Sequence, residues 1–348
     1  MILPESLHIE WINSKTSEFQ ADPIIIEKVI RALSLLESLK SADLDFIFKG
    51  GTSLVLIIQE PRRFSIDLDI IITDKSQNIG DVLERVVAST DFISWEEQKR
   101  NAASTIEKRH FKIFYRPQVK MRGDTNIILL DIVFAENPYV STRETNVSHF
   151  LLSEEGSPVI VTTPTLPAIL GDKLTAFGPN TTGVPMTKPM DVLKQVYDIA
   201  CIADRLSVLD GVRENFIKVA KAELAYKGLD PDNFQPIIDD IVSSSFNFCT
   251  YGKVDKISYS TMQSGVSKLS SYIYGPKFRE AQAQIAMAKA SYIVKQIEKN
   301  STKIEHYEKG TDMLEWVIGD HYYSGLNKLK KHNLEAFHYW HKIFGLNR

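Results

Sequence analysis

The chain has 348 residues, of which 43% are hydrophobic and 24% charged, a composition typical of an ordinary globular protein of about two domains and not of a disordered one. Its net charge of −3 excludes a globally basic nucleic-acid binder, so any such contact must come from a local surface. Its two cysteines, Cys201 and Cys249, have no metal-ligand or redox spacing and no stretch is apolar enough for a membrane span, so we expect a cytoplasmic protein.

The N-terminal part of the chain alternates predicted helices and strands. Asp22 and Pro23 are typical of a helix start, and apolar residues then recur at helical spacing to about residue 41. The short apolar run 46–48 ends in two glycines and predicts a buried strand, and residues 52–59 predict a helix. The unit is therefore a strand, a glycine turn and a helix.

The next segment, residues 65–72, is rich in isoleucine and alternates in polarity. This pattern predicts a strand with Asp67 and Asp69 on one face. Further elements of the same domain are expected as a helix at 79–88, strands at 105–115 and 126–134, and the end of the sheet near residue 161.

From residue 164 the apolar spacing becomes helical, so the C-terminal half is predicted to be mostly α. The predicted helices are 166–177, 191–206, 212–225, 235–242, 276–298 and 313–344, with loops at 178–187 and 243–252. We therefore expect an α/β (α+β) fold. A mixed β-sheet core with flanking helices would occupy residues 1–163, and an α-helical domain residues 164–348.

The glycine turn is the first candidate for chemistry. A strand that leads through Gly50 and Gly51 into a helix start exposes several backbone N–H groups, and glycine lets that backbone approach a phosphate closely. Thr52 and Ser53 add hydroxyl groups at the same point. The alternative is a tight turn that is packed for shape alone, because short glycine patterns are common.

Three carboxylates are the second candidate. The D-x-D spacing of Asp67 and Asp69 suits two side chains that share or bridge divalent metal ions during phosphoryl displacement, although a solvated strand face has the same pattern. Asp131 interrupts the apolar strand 126–134, where a buried charge is costly unless it is paired or metal-bound. Asp131 is therefore either a third member of the site or a core aspartate that accepts backbone hydrogen bonds.

A glycine turn, a D-x-D pair and a third acidic residue on a later strand form the signature of the nucleotidyltransferase β superfamily. The segment Lys49-Gly-Gly-Thr-Ser-Leu, followed by Arg63-Phe-Ser-Ile-Asp-Leu-Asp, resembles the AbiEii/AbiGii toxin family within it. Two later segments, Asp172-Lys173-Leu-Thr-Ala-Phe and Lys194-Gln-Val-Tyr-Asp198-Ile, are similar to the lysine and aspartate motifs of that family. The resemblance thus covers residues 49–198.

The resemblance implies a role for each of the early motif residues. Asp67, Asp69 and Asp131 would hold the metal ions, and Asp131 would also help to activate the acceptor hydroxyl. The residues implied to bind the triphosphate are Lys49, Gly50, Gly51, Thr52, Ser53, Arg63 and Lys173.

The later motifs carry implied roles as well. Lys173 would contact the triphosphate or its leaving group, and Asp198 would orient this lysine or assist the acceptor. Asp191 competes with Asp198 for that role, and Arg63 could pair with an acidic neighbour in place of a phosphate. The helical domain is expected to contribute to the active-site cleft.

The activity implied by the resemblance is Mg²⁺-dependent, or Mn²⁺-dependent, transfer of a nucleoside monophosphate from an NTP to an acceptor with release of pyrophosphate. The family further implies the toxin of a bacterial toxin–antitoxin or phage-defence system, with RNA, at a tRNA 3′ end, as the acceptor and an antitoxin protein as partner. Adenylylation of a small molecule or protein, and a non-catalytic NTP-binding regulator on the same fold, are the alternatives.

Two segments are locally basic. Residues 99–122 contain eight Lys and Arg and one acid, and His110, Lys112 and Phe114 share one face of the predicted strand. A phosphate backbone fits such a surface, and so does the protection of an exposed sheet edge. Residues 323–348 carry five Lys and Arg among aromatic residues, a pattern that fits either RNA contact or a helix packed in the core.

Overall fold

The computed structural model describes residues 1–58, 63–98 and 107–345, and it divides into two compact units. The first unit comprises Met1–Thr165 and Ser271–Pro276, and the second comprises Leu166–Ser270 and Lys277–Arg348. We call Ser271–Pro276 the return segment, because it belongs to the first unit although the chain on both sides of it belongs to the second. The predicted α/β fold is confirmed.

The first unit is built on one mixed sheet, which has seven strands in the described part of the chain. These are β1 (Ile47–Lys49), β2 (Leu68–Ile72), β3 (Phe92–Gln98), β4 (Glu107–Tyr115), β5 (Asn126–Phe134), β6 (Thr142–Asn146) and β7 (Ile160–Pro164). Their order is β3-β4-β5-β2-β1-β7-β6, with β2 parallel to β5 and antiparallel to β1. β3 and β6, which no sequence pattern predicted, are the edge strands.

The helices of the first unit are α1 (Ile9–Phe19), α2 (Pro23–Ser41), α3 (Gly50–Ile57) and α4 (Ile79–Ser89), with a 3₁₀ helix at Pro4–Leu7. The predicted start of α2 is confirmed, because the Asp22 side chain accepts a hydrogen bond of 2.8 Å from the Ile24 backbone N–H. α2 and α4 pack on one face of the sheet against alternate residues of the strands, such as Leu130 and Ile132.

The second unit is helical, as predicted. Its helices are α5 (Leu166–Phe177), α6 (Pro189–Ala203), α7 (Val212–Tyr226), α8 (Gln235–Cys249), α9 (Lys256–Leu269), α10 (Glu280–Glu298) and α11 (Leu334–Phe344), with a 3₁₀ helix at Tyr323–Lys331. A further 3₁₀ helix, Ser270–Tyr272, includes the first two residues of the return segment. Two predictions were wrong in detail: α8 continues to Cys249, well into the predicted loop 243–252, and α9 was not predicted.

The predicted long helix 313–344 is also wrong in its first half. The side chain of Asp312 accepts a hydrogen bond from the backbone N–H of Leu314, and that of Asp320 accepts one from Tyr322. Such local bonds offer the backbone an alternative to the helix, so the α-helix begins only at Leu334. Of the helices that the structure describes, none is long and apolar enough to cross a membrane.

Candidate active site

One row of polar side chains crosses four strands of the first unit's sheet. Asp69 in β2 is the register partner of Lys49 in β1 on one side and of Asp131 in β5 on the other. Asp131 is in turn the register partner of His110 in β4. Because register partners on neighbouring strands point to the same face, these four side chains lie next to one another. We call this face, which is opposite to the one covered by α2 and α4, the carboxylate face.

Asp67, the other carboxylate predicted for the site, lies just before the first residue of β2. Its backbone carbonyl accepts a hydrogen bond from the hydroxyl of Thr52, which joins the entrance of β2 to the glycine turn. Within the described ranges, no three His, Cys, Asp or Glu side chains are close enough together to form a metal site by themselves. In the described part of the chain, the side chains of His, Cys, Asp and Glu therefore offer only part of a coordination shell.

The glycine turn lies directly against Asp69. Gly50 has a φ of +80°, a left-handed conformation that favours glycine, and a Cβ at this position would overlap Oδ2 of Asp69. Gly50 is also the first residue of α3, where the backbone N–H groups of the first turn have no partner within the helix. These donors and the positive end of the helix dipole can attract an anion beside the carboxylate.

The hydroxyl groups of the glycine turn are buried and bonded within the protein. The Thr52 hydroxyl lies 2.9 Å from the Ser65 hydroxyl, and the Ser53 hydroxyl donates a hydrogen bond of 2.9 Å to the carbonyl of Gly50. Both side chains therefore hold the turn in shape from the inside.

Arg63 lies beside Gly51. A Cβ at Gly51 would stand 2.6 Å from Nη2 of Arg63, so the second glycine leaves room for the guanidinium. Arg63 is buried and donates a hydrogen bond of 3.2 Å to the carbonyl of Phe64. The return segment holds this residue in place, because Ile273 forms a bridge with Arg63 and Tyr272 accepts a hydrogen bond from the Phe64 backbone.

Asp131 is bonded to His110, at 2.8 Å between Asp131 Oδ1 and His110 Nδ1. The sequence pattern suggested a buried charge in an apolar strand, but the Asp131 side chain is 35% exposed, because it lies on the carboxylate face while its apolar neighbours point to the core. The sequence pattern places His110 with Lys112 and Phe114 on one strand face but does not connect it with Asp131. The signal for that pairing is the β4–β5 register, which the sequence does not display.

In the second unit, Lys173 of α5 and Asp198 of α6 form a buried ion pair with an N–O distance of 3.0 Å. Lys173 also donates a hydrogen bond of 3.0 Å to the side chain of Gln195. Asp191, the competing candidate, pairs instead with Lys194 at 3.0 Å and is partly exposed. The structure thus brings Lys173 together with Asp198.

The sequence matches the family described as nucleotidyl transferase AbiEii toxin, type IV TA system, over residues 31–267. This match covers more than half of the chain, from α2 to α9, and includes every candidate residue of the site. The chain belongs to the AbiEii family of nucleotidyltransferase toxins. The protein is therefore a nucleotidyltransferase, and the family implies a nucleotide substrate and an antitoxin partner.

The AbiEii-family chain is also similar to solved structures. JHP933 from Helicobacter pylori is 18% identical with a TM-score of 0.43, and the alignment covers 79% of this chain and 92% of that one. MenT4, a nucleotidyltransferase toxin from Mycobacterium tuberculosis H37Rv, is 11% identical with a TM-score of 0.43, with 90% and 94% covered. No curated protein matches the sequence significantly. The family assignment rests on the sequence match and not on these structures.

The first basic segment of this AbiEii-family chain divides between the two faces of the sheet. Arg109 forms two hydrogen bonds of 2.8 Å with Glu97, which raise the pKa of its guanidinium. Lys112 shares the carboxylate face with His110, because side chains alternate along a strand. Residues 99–106 of the predicted basic surface lie outside the described residues.

The second basic segment contains α11, whose aromatic residues Phe337, Tyr339 and Trp340 are buried in the core of the second unit. Burial also lowers the pKa of His338 to about 4, so this side chain is neutral at physiological pH. Residues 346–348 lie outside the described part of the chain. The aromatic spacing of this AbiEii-family helix therefore serves packing.

The contact between Gly50 and Asp69 predicts the effect of adding one methyl group. In Gly50→Ala, the Cβ displaces the Asp69 carboxylate, and we expect the affinity for NTP, measured by isothermal titration calorimetry, to fall about tenfold or more. Gly156→Ala is a matched control, because Gly156 has a φ of +71° but a Cβ there meets no described atom within 4 Å. It should lose about 1 kcal/mol of stability from backbone strain and bind NTP normally. Equal NTP affinities of the two variants would contradict this reading.

The burial of the Lys173–Asp198 pair predicts strong coupling between the two residues. Lys173→Met or Asp198→Leu alone leaves one buried charge without the other, and we expect each to lower the free energy of unfolding by about 3 kcal/mol in urea denaturation. The double variant should lose less than the sum of the two. Lys194→Met, which breaks the partly exposed pair with Asp191, should cost less than about 1 kcal/mol. Additive effects of the two buried substitutions would show that the pair is not coupled.

Proposed function

We propose that the protein transfers a nucleoside monophosphate from an NTP to the 3′ end of an RNA, in particular a tRNA, in a Mg²⁺-dependent reaction that releases pyrophosphate. The observation that carries this proposal is the contact of Gly50 with Asp69, together with the pairing of Asp69 and Asp131 in adjacent strands. It supports an arrangement in which an anion site and two carboxylates meet at one point, as transfer at a phosphorus atom requires.

The donor set of the carboxylate face fits Mg²⁺, with Mn²⁺ as the alternative ion. Mg²⁺ prefers oxygen ligands, and it is commonly bound by one or two carboxylates with substrate phosphates and water completing the shell. Asp69, with Asp67 and Asp131, would hold the ion. A bound divalent ion would neutralise charge on the triphosphate and polarise the phosphoryl group that is transferred. An incomplete protein shell suits such an ion, because the NTP itself supplies ligands.

Residues of the glycine turn and two neighbouring cations would bind the triphosphate. The backbone N–H groups of Gly50, Gly51, Thr52 and Ser53, at the start of α3, would donate hydrogen bonds to its oxygens. The hydroxyl groups of Thr52 and Ser53 would brace that turn, since both are buried and bonded inside it. Lys49 and Arg63 would add positive charge, Lys49 as the register partner of Asp69 and Arg63 from its position next to Gly51.

Asp131 would act on the acceptor. An RNA hydroxyl is a poor nucleophile until its proton is removed, and a carboxylate within hydrogen-bond reach can accept that proton as the oxygen attacks the α-phosphorus. The bond from the α-phosphorus to the pyrophosphate oxygen then breaks. Asp131 is suited to this role because its side chain is partly exposed on the carboxylate face.

For Lys173 and Asp198 we propose a part in the same reaction. Lys173 would stabilise negative charge on the triphosphate or on the departing pyrophosphate, and Asp198 would orient the lysine. The support is the family's lysine and aspartate motifs and the buried 3.0 Å ion pair, which holds the Lys173 ammonium in one position.

An RNA acceptor is supported by the cations on the carboxylate face. Lys108 and Lys112 flank His110 on the same face of β4, and Phe114 follows them there. Positive side chains with an aromatic ring among them suit a phosphate backbone and an unstacked base. The biological role that we propose, a cytoplasmic toxin restrained by its antitoxin and used in phage defence, rests on the family alone.

A labelling experiment tests the reaction. Purified protein is incubated with each labelled NTP, Mg²⁺ and total tRNA, and we expect label to enter the RNA with the wild-type chain. Asp67→Ala and Asp69→Ala should each lower incorporation at least about a hundredfold. Asp124→Asn, which changes an exposed aspartate in the loop before β5, is the control and should retain activity.

Three other outcomes would change this proposal. Label that enters a protein or a small molecule but not RNA would show that the acceptor is not RNA, while the transfer of a nucleoside monophosphate would stand. Incorporation that is unaffected by Asp69→Ala would remove the carboxylate face from the mechanism. Incorporation in the presence of EDTA equal to that with Mg²⁺ would contradict the dependence on a metal ion.

A further inference from the structure

The side chains of His110 and Asp131 are hydrogen-bonded, with 2.8 Å between Nδ1 of His110 and Oδ1 of Asp131. The two residues are register partners on adjacent antiparallel strands, so their backbones hold the side chains opposite each other. Both side chains are partly exposed, 17% for His110 and 35% for Asp131. A partly exposed pair could form its hydrogen bonds with water, so burial alone does not require this contact.

The direction of the hydrogen bond follows from the chemistry of its partners. An ionised carboxylate has no proton and can only accept, so Nδ1 of His110 must carry the proton that is shared with Oδ1. The bond occupies one oxygen of Asp131 and fixes the rotation of the carboxylate about its Cβ–Cγ bond. The other oxygen, Oδ2, is then held in one direction for a further partner.

The orientation of the Asp131 carboxylate matters on the side that faces Asp69. Asp131 lies between His110 on β4 and Asp69 on β2, so His110 approaches it from the side away from Asp69. Carboxylates that bind metal ions are commonly held by hydrogen bonds from neighbouring groups, and the loss of such a neighbour typically weakens metal binding about ten- to a hundredfold. His110 has the position and the donor for this task.

We propose that His110 is a positioning residue for Asp131, whose carboxylate it holds ready to share a divalent metal ion with Asp69. This inference rests on the proposed function, since it assumes that Asp69 and Asp131 bind the ion. His110 acts through Asp131 and does not itself bind the ion or the substrate. Its role is therefore to raise metal affinity at the carboxylate face.

Mn²⁺ binding by the full-length protein tests the proposal without any turnover, with free Mn²⁺ measured by electron paramagnetic resonance. His110→Leu removes the donor, and we expect the Kd for Mn²⁺ to rise about tenfold. His110→Asn places an amide N–H near the position of Nδ1–H, and it should restore the Kd to within about threefold of wild type. His8→Leu, which changes an exposed histidine in the same unit, should leave the Kd unchanged.

A kinetic readout separates positioning from a structural role. The proposed function places the triphosphate on the glycine turn and not on His110. At saturating Mg²⁺, His110→Leu should therefore lower kcat and leave the KM for NTP near the wild-type value. Equal thermal midpoints of wild type, His110→Leu and His110→Asn would show that the fold is intact. A parallel rise in KM and fall in thermal midpoint, without rescue by asparagine, would overturn the proposal.

Two further variants separate failure of this inference from failure of the proposed function. If Asp131→Asn weakens Mn²⁺ binding and His110→Leu does not, the function stands and the positioning role is wrong. If neither Asp69→Asn nor Asp131→Asn weakens Mn²⁺ binding, the carboxylates are not metal ligands and both proposals fail. If His110→Leu and His110→Asn keep intact folds and bind Mn²⁺ equally weakly, the imidazole does not act as an orienting hydrogen-bond donor and the inference is wrong.

Discussion

Asp69 is held between two strands and a glycine, and the geometry of the candidate site depends on that position. Its strand β2 pairs with β1 on one side and β5 on the other, so Lys49 and Asp131 stand beside it. Gly50 follows Lys49 directly and can approach the carboxylate because it has no Cβ. Backbone N–H groups that can attract an anion therefore lie beside a pair of carboxylates. Strand pairing and the glycine turn, rather than long flexible side chains, fix this arrangement.

The rest of the first unit holds the glycine turn and the two carboxylates in fixed positions. α2 and α4 bury the opposite face of the sheet, so the strands that carry Asp69 and Asp131 cannot slip in register without exposing their apolar residues. On the other side, the buried hydroxyls of Thr52 and Ser53 hold the glycine turn, and the return segment holds Arg63. Removing any one of these supports would move the glycine turn relative to the carboxylates, and the proposed transfer at phosphorus tolerates little misplacement.

Much of this arrangement could be predicted from the sequence, because strong periodicity marks its elements. The strand before Gly50, the strand that contains Asp69 and the strand 126–134 are apolar and short, and they were found with small errors at their ends. The edge strands β3 and β6 were not predicted, because polar residues dominate them and one face of each strand is not buried. The His110–Asp131 bond and the return segment could not be predicted, since they depend on register and on contacts between segments that are distant in sequence.

The central claim is that the metal ion and the triphosphate meet at Asp69. Its most direct test is a crystal of the wild-type protein with Mn²⁺ and a non-hydrolysable NTP, in which the anomalous scattering of manganese locates the ion. We predict a manganese peak bonded to an Asp69 carboxylate oxygen, with the triphosphate on the backbone N–H groups of Gly50 and Gly51. A well-ordered nucleotide bound elsewhere, with no manganese at Asp69, would contradict the claim.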